Sequence, residues 1–266
     1  MSEVQAAAGV EAAMVDGVGW ITLSNPARLN AMSLAMWQGL GAAVEDCAAR
    51  PEVRVVVLKG AGDKAFVSGA DISEFERERS DPDGIARYNR AVDVANGALK
   101  KLGKPTIAMI RGYCIGGGLG LALCCDLRIC SDNSKFAVPA AKLGLGYGFK
   151  GLKKLVDVVG PSFAKEIFYT ARQFTAQEAK EMGLVNRVVP HDELEGYVQG
   201  YAATIGANAP LTVNSVKYIV GEALKSASER NLGRCDQLVS ECFASRDYTE
   251  GRKAFMEKRK PQFTGS

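Results

Sequence analysis

The sequence predicts an α/β protein with a smaller helical region at its C-terminal end. Three observations carry that expectation. Short apolar runs rich in β-branched residues alternate with segments of helical periodicity as far as about residue 190. Beyond Pro190 the strand signals stop, and helical patterning continues to about Met256. Glycines gather at junctions between the two kinds of segment, above all at Gly116-Gly117-Gly118. The division falls at an α/β core over residues 1–191 and a helical region over 192–266.

Trp20-Ile21-Thr22-Leu23 reads as a strand ended by Asn25-Pro26. Ser33 is placed to cap a helix running to about Ala49, with Leu34, Trp37, Leu40, Ala43 and Val44 on one face and Pro51 stopping it. Val53–Leu58 has the near-continuous apolar character of a strand covered on both faces. Gly60–Gly69 reads as a loop, and the charged stretch Asp71–Asp83 as a solvated, mobile segment. A helix over Ile85–Leu102, a buried strand over Pro105–Ile110, a buried helix over Leu119–Cys125 and a strand over Leu127–Cys130 follow. Pro161 suits the first position of a helix through Tyr169, where its missing N–H is not needed. Thr175 and Glu178 make a capping box, and Gly183 closes that short helix. Leu184–Val189 is the last strand. The helical tail breaks near Asn208-Ala209-Pro210 and Gly233 and ends in the basic Glu257-Lys258-Arg259-Lys260, where cations favour a helix C-terminus.

Composition excludes several classes of function. The 266 residues include 33 basic and 30 acidic side chains, a net charge of +3 spread along the chain, so there is no basic stripe for nucleic acid. The single histidine, His191, rules out a metal site built on several histidines and disfavours a histidine-based triad; no metal is expected. His191 opens a helix and reads as a loop residue. Seven cysteines without a CxxC pair, several in apolar runs, read as reduced buried thiols suited to the cytoplasm. No run approaches a membrane span, and residues 1–15 lack the cations of a signal or transit peptide.

Two glycine-bearing segments carry the chemistry. Phe66-Val67-Ser68-Gly69-Ala70-Asp71-Ile72 is one; Gly116-Gly117-Gly118 at the head of an apolar helix is the other. Glycines there let a ligand approach bare backbone N–H groups, and a pair of such groups can hold charge on a carbonyl oxygen. A dinucleotide fingerprint fails at Leu121, and the Gly-Lys-Ser/Thr of a P-loop is absent.

Phe66–Ile72 (FVSGADI), Gly112–Asp126 (GYCIGGGLGLALCCD) and Glu257–Lys260 (EKRK) together resemble the crotonase, or enoyl-CoA hydratase/isomerase, superfamily. Asn30-Ala31-Met32 and Ala171–Pro190 (ARQFTAQEAKEMGLVNRVVP) extend the resemblance over nearly the whole chain. It implies a spiral of ββα units with a C-terminal helical region that builds a homotrimer or a hexamer. It implies an acyl-CoA thioester substrate, with CoA as part of the substrate and no other cofactor. Ala70 and Gly117 would supply two oxyanion-hole N–H groups. Ser68, Ala70, Asp71 and Ile72 would line CoA, and Phe255 and Lys258 would meet it, often from a neighbouring subunit.

The resemblance breaks at the proton-transferring residues. Family hydratases use two glutamates, and those positions hold Gly120 and Ala140, neither of which can move a proton. Tyr147, in Ala140–Gly151, has the spacing of a tyrosine in the methylmalonyl-CoA decarboxylase branch, which also lacks the glutamate pair. Decarboxylation needs an oxyanion hole and no base, so the residues favour a malonyl-type decarboxylase. That branch has a histidine where this chain has Ala70. A hydratase with substitute acids and a non-catalytic acyl-CoA-binding protein remain open. Asp126 reads as structural, Glu74, Glu76 and Glu78 as surface charge, and Lys142 and Lys150 as solvated.

Overall fold

Val55, Val56, Val57 and Leu58 are all fully buried, because the two faces of their strand serve two separate cores. Val56 and Leu58 face the main core, whereas Val55 and Val57 face a second one. The computed structural model describes residues 8–71, 74 and 81–266. Its first sheet contains β1 (Gly9–Val15), β2 (Val18–Ser24), β3 (Val55–Gly60), β5 (Thr106–Ile110), β7 (Leu127–Ser131) and β10 (Arg187–Val189), side by side in that order. Its second contains β4 (Ala65–Val67), β6 (Tyr113–Ile115), β8 (Lys135–Ala137) and β9 (Phe174–Thr175).

All pairings in the first sheet are parallel except the β1–β2 hairpin. Asp16 and Gly17 turn that hairpin with positive φ (50° and 75°), as a two-residue turn matched to the strand twist requires. The chain then repeats one manoeuvre. Strands β3, β5 and β7 each cross by a short turn into β4, β6 and β8, and each crossing is followed by a helix: α2 (Pro82–Lys101), α3 (Gly117–Ala122) and α4 (Phe149–Thr170). This is the spiral of ββα units.

The remaining helices are α1 (Leu34–Ala49), α5 (Ala176–Glu181), α6 (Leu194–Gly206), α7 (Pro210–Ala223), α8 (Leu232–Ala244) and α9 (Arg246–Met256). Ser33 caps α1 by accepting from Met36 N at 3.1 Å. Met36, Trp37, Leu40 and Val44 of α1 enter the main core beside Phe66, Phe136 and Phe174. Truncating one such phenylalanine costs about 3–5 kcal/mol. Trp37 Nε1 donates to the Tyr88 hydroxyl (2.9 Å), fixing α2 against α1. The second face of the first sheet is covered by Leu194, Val198 and Ala202 of α6. No described helix is long and apolar enough to cross a membrane.

Gly60–Gly69 is not one loop. Ala65–Val67 within it form β4, buried and paired with β6; three residues are too few for a period to show. The Asp71–Asp83 segment lies mostly outside the described residues, but Pro82 and Asp83 already belong to α2, capped by Asp81. Pro161 does begin a helical segment, since Gly160 (φ 74°, ψ 171°) breaks α4 just before it. The tail does break near Gly233, at 224–231, just before α8 begins at Leu232, and it breaks again at Ser245, whose hydroxyl caps α9. Residues after α9 fold back along it. Asp247, 3% exposed, accepts from Thr264 N and Gly265 N (2.7 and 2.8 Å), and Arg54 donates to Phe263 O at 2.6 Å.

Asp126 ties three elements together. Its carboxylate accepts from Thr106 N and Oγ1 (2.7 and 2.9 Å) and pairs with Lys217 of α7 at 2.9 Å. Asp126→Ala is expected to lose about 2–3 kcal/mol, the scale of hydrogen bonds to a charged acceptor left unpaired. Urea unfolding followed by circular dichroism reads this as a lower midpoint; an unmoved midpoint would remove Asp126 from the framework.

Candidate functional site

Where β4 ends at Val67 the backbone is held by alternate hydrogen bonds. Ser68 N donates to Leu29 O (3.1 Å), Met32 N to Gly69 O (2.8 Å) and Asp71 N to Met32 O (3.1 Å). That pattern skips Ala70, whose N–H has no backbone acceptor among the described residues. Two asparagines fasten the segment from behind. Asn30, 1% exposed, donates to Ala61 O and Ala65 O (2.9 and 2.8 Å) and accepts from Asn25 N (3.0 Å). Asn25 Nδ2 donates to Ala31 O (2.9 Å) and Asp71 Oδ2 (3.3 Å). Sequence reasoning assigned neither side chain this work; Asn25 read only as a strand end before Pro26, and Asn30 only as part of the Asn30-Ala31-Met32 match.

Helix α3 begins directly opposite. Gly116 enters it with φ 54° and ψ −114°, a conformation that only glycine adopts without strain. Gly118 lies so close to the Val67 carbonyl that any Cβ would overlap it. A Cβ on Gly117 would lie 3.9 Å from Ala70 N, so the two residues border one narrow gap. As the first helical residue, Gly117 has no intrahelical acceptor, and its N–H has no backbone acceptor among the described residues. Two unengaged N–H groups beside one gap can bind an oxygen that gains negative charge.

Among the described residues, a Cβ on Gly120 would meet nothing within 4 Å, so space is open there and none of their acids fills it. Ala140 is 4% exposed in the 3-10 turn Pro139–Leu143 and packs in the main core. The Tyr147 ring packs edge-on against Phe168 of α4 (centroids 4.8 Å, 70°) and beside Gly151. Burial pushes its phenol pKa above the usual range.

The structure brings Ser68, Ala70, Asp71 and Gly117 together; Ser68 Oγ donates to Arg28 O at 3.0 Å. Ile72, Glu76 and Glu78 lie outside the described residues. Phe255 stands 82% exposed at the end of α9, and Lys258, also exposed, folds back with its N–H on Phe255 O (3.2 Å). Glu74 Oε2 accepts from Leu34 N at 3.3 Å. Lys142 is exposed, and Lys150 is exposed and only loosely paired with Asp93 at 3.9 Å. His191 starts the 3-10 turn His191–Glu193. All seven cysteines are free thiols. Burial pushes Cys130 up to about 12 and raises Cys114 and Cys125 as well, which keeps them protonated and unreactive.

The enoyl-CoA hydratase/isomerase family profile matches residues 14–266. The chain is 35% identical to the short-chain-enoyl-CoA hydratase of Clostridium acetobutylicum over 243 residues, 91% of this chain and 92% of that protein. It is also 35% identical to the crotonyl-CoA hydratase of Syntrophomonas wolfei, over 91% of this chain and 92% of that one. The crystal structure of an enoyl-CoA hydratase/carnithine racemase from Magnetospirillum magneticum superposes with a TM-score of 0.90 at 37% identity, covering 97% of this chain and 96% of that one.

Because the fold favours the neutral phenol of Tyr147, the unfolded chain ionises first as pH rises past about 10. The stability carried by the neutral group is full below that pH and is lost as pH rises through the higher folded-state value. A difference absorbance titration, wild type minus Tyr147→Phe, is expected to show a phenol ionising above that pH. Ionisation at the ordinary value would contradict its burial.

Proposed function

The chain belongs to the enoyl-CoA hydratase/isomerase family, and on that premise we propose that it acts on an acyl-CoA thioester through an enolate held by the N–H groups of Ala70 and Gly117. The observation that carries this reading is the pair of N–H groups, without a backbone acceptor among the described residues, bordering one gap. Donors fixed in advance stabilise the thioester oxygen as it becomes an enolate oxygen, which lowers the barrier without reorganisation. The substrate brings CoA with it, and no further cofactor enters the scheme. Ser68, Ala70, Asp71 and Ile72 line the CoA in this scheme, with Phe255 at the end of the last helix and Lys258 just past it meeting CoA, often that of a neighbouring subunit.

The reaction we favour is decarboxylation of a malonyl-type thioester. The bond from the α-carbon to the carboxylate breaks, carbon dioxide leaves, and the electron pair passes to the thioester oxygen. The enolate then takes a proton at the α-carbon, and Tyr147 donates it. Support comes from Gly120 and Ala140, which offer no acid or base, and from burial that keeps the Tyr147 phenol protonated. The same two residues also favour a second reading, an acyl-CoA-binding protein without turnover.

Apolar stripes on the last helices support assembly as a homotrimer or hexamer. Val216 and Val220 of α7, and Leu232, Val239 and Phe243 of α8, are exposed at helical spacing. Phe255 at 82% exposure suits a contact completed by a second copy. Seven free thiols suit the cytoplasm.

Incubation with 2-enoyl, 3-enoyl and malonyl-type CoA thioesters, read by mass spectrometry, tests these readings. Loss of carbon dioxide from the malonyl-type thioester is expected, slowed about 100-fold or more by Tyr147→Phe. Unchanged turnover in that variant removes Tyr147 from the chemistry. Water addition to crotonyl-CoA at an enzymatic rate would overturn the decarboxylase, and tight binding without turnover of any thioester would establish the binding protein.

A further inference from the structure

The N–H of Ala70 is aimed through Met32. The two residues form an isolated parallel bridge. Met32 N donates to Gly69 O at 2.8 Å and Met32 O accepts from Asp71 N at 3.1 Å, so the bonds fall on both sides of Ala70. In a parallel pairing of this kind the residue between the two bonds turns its own N–H and C=O away from the partner strand. Ala70 N therefore faces the other way, toward the gap that Gly117 borders at 3.9 Å from its would-be Cβ. Whatever fixes the Met32 peptide also fixes the direction of that N–H.

Met32 O has a second donor. Tyr88 Oη of α2 donates to it at 3.2 Å. Trp37 Nε1 of α1 in turn donates to Tyr88 Oη at 2.9 Å. The direction of the phenol proton follows from these two neighbours. An indole N–H can only donate and a carbonyl can only accept, so the hydroxyl receives the first bond on a lone pair and gives its proton to Met32. Met32, Trp37 and Tyr88 are all buried, so bulk water does not stand in for the phenol.

We propose that Tyr88 is a positioning residue for the oxyanion-binding N–H of Ala70, acting through the Met32 carbonyl. The inference rests on the acyl-CoA reading above and adds a residue to it. Without the phenol proton the Met32 carbonyl keeps only its bond from Asp71 N, and its peptide is free to tilt. A tilt there moves Gly69 and Asp71 together, and the Ala70 N–H between them turns away from the place an enolate oxygen would take. A hydrogen bond weakens steeply with angle, and one aimed at developing charge has the most to lose. Contacts to the rest of CoA are untouched by this tilt. Loss of Tyr88 is therefore felt as weaker polarisation of the thioester carbonyl, with little change in how tightly the thioester binds.

Infrared difference spectra of hexanoyl-CoA, with and without carbon-13 at the thioester carbonyl, read that polarisation without any turnover. In wild type the carbonyl band is expected to move to lower wavenumber on binding. Tyr88→Phe, which keeps the ring and removes the proton, is expected to retain about half of that shift. Calorimetry is expected to give a Kd within about threefold of wild type. Trp37→Phe frees the phenol to rotate and is expected to give a smaller change in the same direction. It serves as the second variant should thermal melts show Tyr88→Phe unfolded. Either folded variant keeping the full wild-type shift overturns the proposal. An equal loss in Leu99→Val also overturns it, because that change trims a buried residue about 16 Å further along α2 and reads loosening of the helix alone. An unshifted band in wild type overturns the oxyanion reading and this proposal with it. Failure of hexanoyl-CoA to bind overturns the acyl-CoA reading as well.

Discussion

The contact on which the rest of the site depends is the seating of Gly118 against the Val67 carbonyl. It brings the first turn of α3 down onto the end of β4 with no side chain between them. Only in that position does Gly117 stand across a narrow gap from Ala70. Gly116 enters the helix in a conformation open to glycine, and that entry places the helix there. The asparagine pair behind the gap prevents the opposite wall from drifting, since Asn30 binds carbonyls on both sides of the β3–β4 turn. Two backbone N–H groups are thereby aimed by packing rather than by side-chain chemistry.

Such a site separates two jobs. In the proposed scheme an oxyanion is held by backbone, which substitution of neighbouring side chains leaves intact. Moving protons is done by side chains at nearby positions, which can change without disturbing the fold. Gly120 illustrates the second case, because nothing crowds its missing Cβ. The same scaffold therefore supports different reactions with different residues at the edges, which is why family membership leaves the reaction open.

Much of the fold was legible in the sequence because long elements advertise themselves. The Ser33-capped α1, the doubly buried Val55–Leu58 and the Thr175–Glu178 capping box all stand where their patterns place them. The short strands were not legible. Ala65–Val67, Tyr113–Ile115 and Lys135–Ala137 span three residues each and become strands only by pairing with one another. Asp16-Gly17 was a readable hairpin signal, but the strand before it is a half-exposed sheet edge with little apolar pattern. At the site, Ala70 and Gly117 sit in contiguous motifs and could be read directly.

The parallel pairings of the spiral also bear on how the chain reaches its native state. Val57 pairs with Ile107, and Ala65 with Tyr113, so the first closure joins residues about 50 positions apart, and the next, Ile107 with Leu127, about 20. Entropy is lost in closing those loops before any of the new contacts compensate for it. A partly wound spiral presents β3 or β5 with one hydrogen-bonding edge bare until the next strand arrives. The architecture that aims two backbone N–H groups so sharply is thus one whose assembly is slow, with a transient exposure of strand edges that favours association between unfinished copies.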